Sequence, residues 1–344
     1  MSLSHRHAVP VGSRALVQVE SRKLDLFTPV VPEDKLHHNF KQTLAPGTEG
    51  VRAVLNDWAD GFVDRDGKFV VEFQTTYNSC FWEIYLFAVL KFVGATVDFR
   101  HSAPDFVCAS HPLTIEAAIA SHSSEDTPEW QKTFEGIVHD DLRGAYVQSI
   151  IRLSNAFRGK AAKYVASYSR LPHMAGKAFV IAIANYSTQD FYMLGDVAMQ
   201  RLLYDGDGEG EVFKPNGSSV PVGIFNTPEF SYVSAVLYSS TATFGKTRAL
   251  GPCDLPIMFH AVRITSENEP IRVMQPKSEY RESLTDGLRL FVNRHASVPV
   301  DLSLFDDPGV RVFLPNGVDD MLVSSHPDGD LCMRSVIHLM VHDE

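Results

Sequence analysis

QTTYNSCFWEIYLFAVLKFVGATVDFRHSAPDFVCASHPLTIEAAIAS, residues 74–121, sets the architecture expected of this chain. Within it, 80–93 reads as a helix, with Asn78 and Ser79 as cap candidates and Gly94 as its stop. Three short strands are expected next, over 95–100, 104–109 and 113–120, with His111 and Pro112 turning the chain between the last two. A hairpin turning at 110–112 sets Asp105 and Glu116 opposite or diagonal to each other on neighbouring strands. The helix is apolar almost all round, so Glu83 on it is a carboxylate in need of a partner.

Two carboxylates held like Asp105 and Glu116 can share a hard divalent cation such as Mg²⁺, which takes oxygen ligands and keeps several waters. Such a cation can activate water and stabilise the charge that develops on a scissile phosphate. Taken in order, Trp82-Glu83, Gly94, Pro104-Asp105-Phe106 and Ile115-Glu116-Ala117 resemble the PD-(D/E)xK superfamily, which includes the restriction endonucleases. Its pattern is a helix with a frequent glutamate, a proline-aspartate at a strand start, then an acidic residue in the next strand with lysine two positions on. By position, the resemblance implies Glu83, Asp105 and Glu116 as metal ligands for Mg²⁺ or Mn²⁺, with Asp105 and Glu116 catalytic. It further implies a restriction-endonuclease-like αβββαβ core and nucleic acid as substrate. The sequence departs from the pattern at Ala118, where the lysine is expected.

The missing cation directs attention to a long helix expected over 142–169. From Arg143 to Gln189 there is no Asp or Glu, while Arg143, Arg152, Arg158, Lys160, Lys163, Arg170 and Lys177 are all basic. At 100° per residue, Arg152, Asn155, Lys160 and Lys163 fall within an arc of about 140°. Ile150, Leu153, Phe157, Ala161, Tyr164 and Val165 take the opposing side. One reading is a nucleic-acid-binding face of Arg152, Asn155, Lys160 and Lys163 that contacts phosphate. Lys160 or Lys163 then replaces the strand lysine as a catalytic cation. The plainer reading is a solvated face balanced by Glu125, Asp126 and Glu129.

Composition bounds the rest. Hydrophobic residues at 44% and charged residues at 21% are ordinary for a globular protein. Net charge is −11, from 31 basic and 42 acidic residues, which argues against general affinity for polyanions and gives the acid-free helix its weight. The longest apolar run is too short to span a bilayer. MSLSHRHAVPVGS at the start has no apolar stretch like that of a secretory signal. Cys80, Cys108, Cys253 and Cys332 are scattered and form no CxxC pair, which suits reduced thiols. A cytoplasmic protein with no membrane partner is expected, and self-association is left open.

Along the chain, 1–69 is expected as an N-terminal arm or peripheral layer, containing a helix over 51–62 and a strand over 68–73. The core is expected over 70–265, with a strand at 177–184 apolar enough for burial on both faces. Further strands are expected at 232–239 and 258–264. A β-rich C-terminal extension is expected over 266–344, with strands at 288–292, 298–304, 310–314, 321–324 and 336–341.

Other signals are weaker. The 14 histidines form no HExxH pattern. The run beginning at Asp205 copies half a calcium loop, but Asn216 stands at its twelfth position. Gly245-Lys246-Thr247 lacks the upstream glycine of a phosphate loop, with Ser240 in its place. Two other functions fit the residues: a catalytically inactive nuclease-fold binding or scaffold module, and a small-molecule hydrolase or transferase of unrelated fold.

Overall fold

A computed structural model describes residues 23–131, 142–205, 211–253, 255–317 and 320–338. His5, His7, most of the run after Asp205 and the end of the last expected strand lie outside the described residues. Those described hold seven α-helices: α1 (His38–Thr43), α2 (Glu49–Ala59), α3 (Phe69–Thr75), α4 (Tyr77–Phe92), α5 (Leu142–Ala166), α6 (Val197–Tyr204) and α7 (Phe244–Leu250). The strands are β1 (Phe106–Val107), β2 (Leu113–Ser121), β3 (Ala178–Tyr186), β4 (Val212–Phe213), β5 (Ser219–Val220), β6 (Ala235–Ser239), β7 (Ile257–Ile264), β8 (Pro270–Pro276), β9 (Leu288–Val292), β10 (Val310–Asn316), β11 (Asp320–Val323) and β12 (Asp330–His338).

Seven strands form one mixed sheet in the order β1-β2-β3-β6-β9-β10-β11. Strands β2, β3 and β6 run parallel, while β1 pairs antiparallel with β2 at the sheet edge. Strand β9 lies antiparallel to β6 and β10 and β11 extend it, so strands from the segment expected as a C-terminal extension, 266–344, continue the sheet that begins within 70–265. A smaller antiparallel sheet has the order β12-β7-β8. The chain is therefore mixed α/β.

Period-two alternation explains the layers. Leu113, Ile115 and Ala117 of β2, with Val180, Ala182 and Ala184 of β3, belong to the core beneath α4. Ala118 and Ala120, with Phe179, Ile181 and Ile183, join the core on the other face, beneath α5 and α6. Every residue of β3 is buried, as expected of a strand covered on both sides. Helix α4 can be apolar all round because α2 and α3 pack on its outer side. Its Trp82 indole donates to the Ala182 carbonyl at 3.1 Å, tying helix to sheet.

Several local expectations are corrected. The strand expected at 68–73 is helix α3, where Phe69 and Phe73 bury one helical face. The Asp64 carboxylate accepts from the amides of Gly67 and Phe69 at 2.9 and 3.1 Å, satisfying donors at that helix start. The strand expected at 95–100 contributes only the bridge Val97–Cys108, and that at 104–109 shrinks to Phe106–Val107. The strand expected at 298–304 is replaced by a 3₁₀ turn, Leu302–Phe305, capped by Asp301. On α5, Val165 is 55% exposed although expected on the apolar side, because the helix end runs past the sheet-facing core.

Helix α2 meets the 250s segment at very short range. A Cβ on Gly50 would stand 1.7 Å from the Pro252 carbonyl oxygen. Gly50→Ala is therefore expected to cost about 1–3 kcal/mol in urea unfolding through overpacking. Gly159, exposed on α5 with nothing near its missing Cβ, gives the opposite result: Gly159→Ala is expected to gain roughly 0.5–1 kcal/mol.

Candidate active site at the sheet edge

The β1–β2 register pairs Phe106 with Ile115, and one further step sets Asp105 against Glu116. The Ala117 amide donates to Asp105 Oδ2 at 2.7 Å, closing the hairpin on the aspartate. Glu116 shares the face of β2 that carries Ala118 and Ala120, so it points under α5. It is 1% exposed. Such a carboxylate needs cations, and α5 supplies two. Lys160 Nζ lies 2.7 Å and Lys163 Nζ 3.1 Å from Glu116 Oε1. Three residues apart on a helix, the two lysines share one face.

Ala118 now has a physical reason. It packs in the same core as Phe157 and Ala161 of α5, so the helix fills the space above it. Both lysines reach Glu116 from that helix.

Glu83 approaches from α4, on the opposite face of the sheet. Burial pushes its pKa up to about 8, and Asp105 adds to the effect, while Lys160 and Arg65 oppose it. Asp105 is pushed up to about 6, first by burial and then by Glu116, against Lys160 and the Ala117 amide. Burial works against the Lys163 ammonium, but Glu116, with Tyr168 behind it, outweighs burial and holds the lysine above its ordinary range. The five side chains thus form one electrostatic unit.

Arg152 and Asn155 do not join it. Arg152 donates to Asp126 at 3.0 Å, and that carboxylate also accepts from Gln148 at 2.7 Å. Asn155 is exposed on α5. Two neighbours escaped the sequence reading. Tyr168, 5% exposed, stands beside Lys163 and Glu116 just past the end of α5. Arg65 donates to the His101 carbonyl and acts on Glu83. Only nearness in sequence to Lys163 marks the first, and nothing in the sequence marks the second.

The donor chemistry suits a hard cation. Glu116 Oε2 is buried without a hydrogen-bond partner, and Asp105 has one oxygen not taken by Ala117. No group of three or more His, Cys, Asp or Glu side chains is gathered closely enough to hold a metal among the described residues. A cation here would rest on Asp105, Glu116 and water, with Glu83 outside the inner set.

The other sequence signals have architectural roles. Lys246 is buried on α7 and paired with Glu282, so the Gly245-Lys246-Thr247 run is not a phosphate loop. Burial pushes the Cys108 thiol up to about 11 and raises Cys80 further, which leaves both unreactive. No helix among the described residues is long and apolar enough to cross a membrane. Comparison with protein-family models, with curated proteins and with solved structures returned no match.

The two raised carboxyls have a stability consequence. Each binds its proton more tightly folded than unfolded, so stability is fullest below the unfolded values of 4.5 and 3.8 and is lost as pH rises through about 8 and about 6. In EDTA, Tm is expected to fall between pH 5 and pH 8.5. Glu83→Gln, neutral throughout, is expected to melt about 2–4 °C above the parent at pH 8.5 and within about 1 °C of it near pH 4. Equal melting at both pH values would show that Glu83 carries no such strain.

Proposed function

We propose that the chain is a metal-dependent phosphodiesterase acting on nucleic acid, with a PD-(D/E)xK-like site on a restriction-endonuclease-like core. The observation that carries this reading is the convergence of Asp105, Glu116, Lys160 and Lys163 at the edge strand β1. Two carboxylates from a hairpin and two ammonium groups from the next helix make up the charge pattern that phosphodiester cleavage requires. The element order supports it too: α4, the Val97–Cys108 bridge, β1, β2, α5 and β3 follow the αβββαβ succession.

Asp105 and Glu116 would hold Mg²⁺ or Mn²⁺, which supplies Lewis acidity and a more acidic bound water. Lys163 keeps its proton across the physiological range, so it serves as a charged donor to a phosphate oxygen and not as a base. Lys160, held against Glu116 and electrostatically coupled to Glu83 and Asp105, is placed to stabilise charge developing at the phosphate. Glu83, with a pKa of about 8 before any cation is bound, can hold and release a proton near neutral pH. Tyr168 and the buried Glu116 orient Lys163. Ala118 keeps a second reading in view, a binding module on the same fold without cleavage.

The deciding assay uses single- and double-stranded DNA and RNA with Mg²⁺ or Mn²⁺. Asp105→Ala and Glu116→Ala are each expected to lower cleavage at least about 100-fold. Lys160→Met is expected to lower it about 10- to 100-fold, and pairing it with Lys163→Met to lower it further. Cleavage that survives both carboxylate substitutions overturns the reading. Nucleic-acid binding by the parent without cleavage favours the binding module.

A further inference from the structure

A cavity of about 680 Å³ lies where α1, the first turns of α4, the start of α7 and β12 meet. It shares no residue with the acidic site. Tyr186, the last residue of β3, and Thr243, just past β6, border it. It therefore sits off the carboxyl ends of parallel strands, where open α/β sheets hold their ligands. Its size is that of a small-molecule site. Much of its wall is aromatic: Tyr77, Phe81, Trp130, Tyr192 and Phe244.

Two buried donors on that wall have no acceptor. Tyr77 is 2% exposed and its hydroxyl lacks a hydrogen-bond partner. Arg334 is 6% exposed, and its terminal nitrogens donate to Glu282 at 2.9 Å, the Thr241 carbonyl at 2.5 Å and Thr243 Oγ1 at 3.0 Å. Its Nε–H, by contrast, has no partner. Buried donors left unpaired are costly, and a ligand acceptor is one remedy. Gly245, also on the wall, keeps the space beside that nitrogen open, since a Cβ there would stand 3.0 Å from Arg334 Nε.

Charge defines the ligand further. Arg334 and Lys246 both pair with Glu282, and Asp286, held by Arg263, also acts on Lys246, so three cations meet two carboxylates behind this wall. Burial lowers the Lys246 pKa despite Glu282, and Arg334 adds to that push. Glu129, elsewhere on the lining, is a buried carboxylate whose Oε1 accepts from the amides of Asn39 at 3.0 Å and Asn78 at 2.6 Å and whose Oε2 lies 3.7 Å from His122. We propose that this cavity binds a planar aromatic carboxylate. The ring packs among Trp130, Tyr192 and Phe244, and the carboxylate accepts from Arg334 Nε–H, with the Tyr77 hydroxyl as a further donor. The aromatic wall selects a flat ring, and the two donors select an anionic acceptor.

The test uses the full chain with 2-naphthoate as probe, read by saturation-transfer NMR and calorimetry. Controls are 2-naphthylmethanol, which lacks the charge, and cyclohexanecarboxylate, which lacks the ring. Binding of 2-naphthoate is expected with a Kd on the order of 1 mM or tighter, and each control is expected to bind at least about fivefold more weakly. Tyr77→Phe keeps the ring and deletes an unpaired hydroxyl, so it is expected to melt with the parent and bind about five- to tenfold more weakly. Gly245→Ala is expected to abolish binding by crowding Arg334 Nε. The proposal is overturned if 2-naphthoate fails to bind the parent at about 10 mM, or if the alcohol binds as well as the acid. Undiminished binding to Tyr77→Phe overturns it as well, whether or not Gly245→Ala folds.

Discussion

Burying Glu116 is the constraint around which one whole layer is organised. A carboxylate 1% exposed in the second strand of a sheet is expensive to desolvate, and it is tolerated only with cations in contact. Lys160 and Lys163 meet that need from α5, both on Oε1. The helix can present them only in the rotation that turns Ile150, Leu153, Phe157 and Ala161 toward the sheet. Apolar burial and charge pairing therefore select the same orientation. Ala118 and Ala120 complete the fit, because α5 passes directly over the face they share with Glu116.

The same device recurs at other joints. Arg289 of β9 donates to Asp196, just before α6, at 2.7 Å, linking the antiparallel part of the sheet to a helix on its face. Glu282 gathers Lys246 of α7 and Arg334 of β12, while Tyr280 donates to its other oxygen at 2.8 Å. Arg263 of β7 reaches Asp286 at 2.7 Å, binding the smaller sheet to the strand connection before β9. Ion groups of this kind add little net stability over apolar packing, but breaking one leaves a buried charge unpaired. They penalise sliding between layers that apolar contact alone would tolerate.

What could be read from the sequence follows from how local each determinant is. Helix α4, strands β2 and β3 and the length of α5 were legible because their apolar periods are long and uninterrupted. The acidic pair was legible because hairpin geometry is fixed by a short turn. Helix α3 was not, since Val70 and Val71 read as a strand while the deciding group, Asp64, caps from outside the segment. Nor was the place of β9 beside β6, which depends on the pairing of strands far apart in the chain. Arg152 looked equivalent to Lys160 on a helical wheel. Its partner Asp126 comes from the segment after β2, which the wheel does not contain.

Glu116 and Glu282 invite comparison, because each is a buried glutamate held by two cations. Glu282 has both oxygens engaged, by Lys246 and Arg334 on one and Tyr280 on the other. It is a finished joint. At Glu116 both lysines crowd one oxygen and the other has no hydrogen bond, though buried. Beside it, Asp105 and Glu83 hold their protons toward neutral pH because burial, reinforced by Glu116 at Asp105 and by Asp105 at Glu83, outweighs Lys160, which opposes both. A purely architectural cluster gains nothing from an unsatisfied oxygen and two strained carboxyls. Added positive charge at the sheet edge would relieve all three at once, a deficit that the Glu282 cluster does not have.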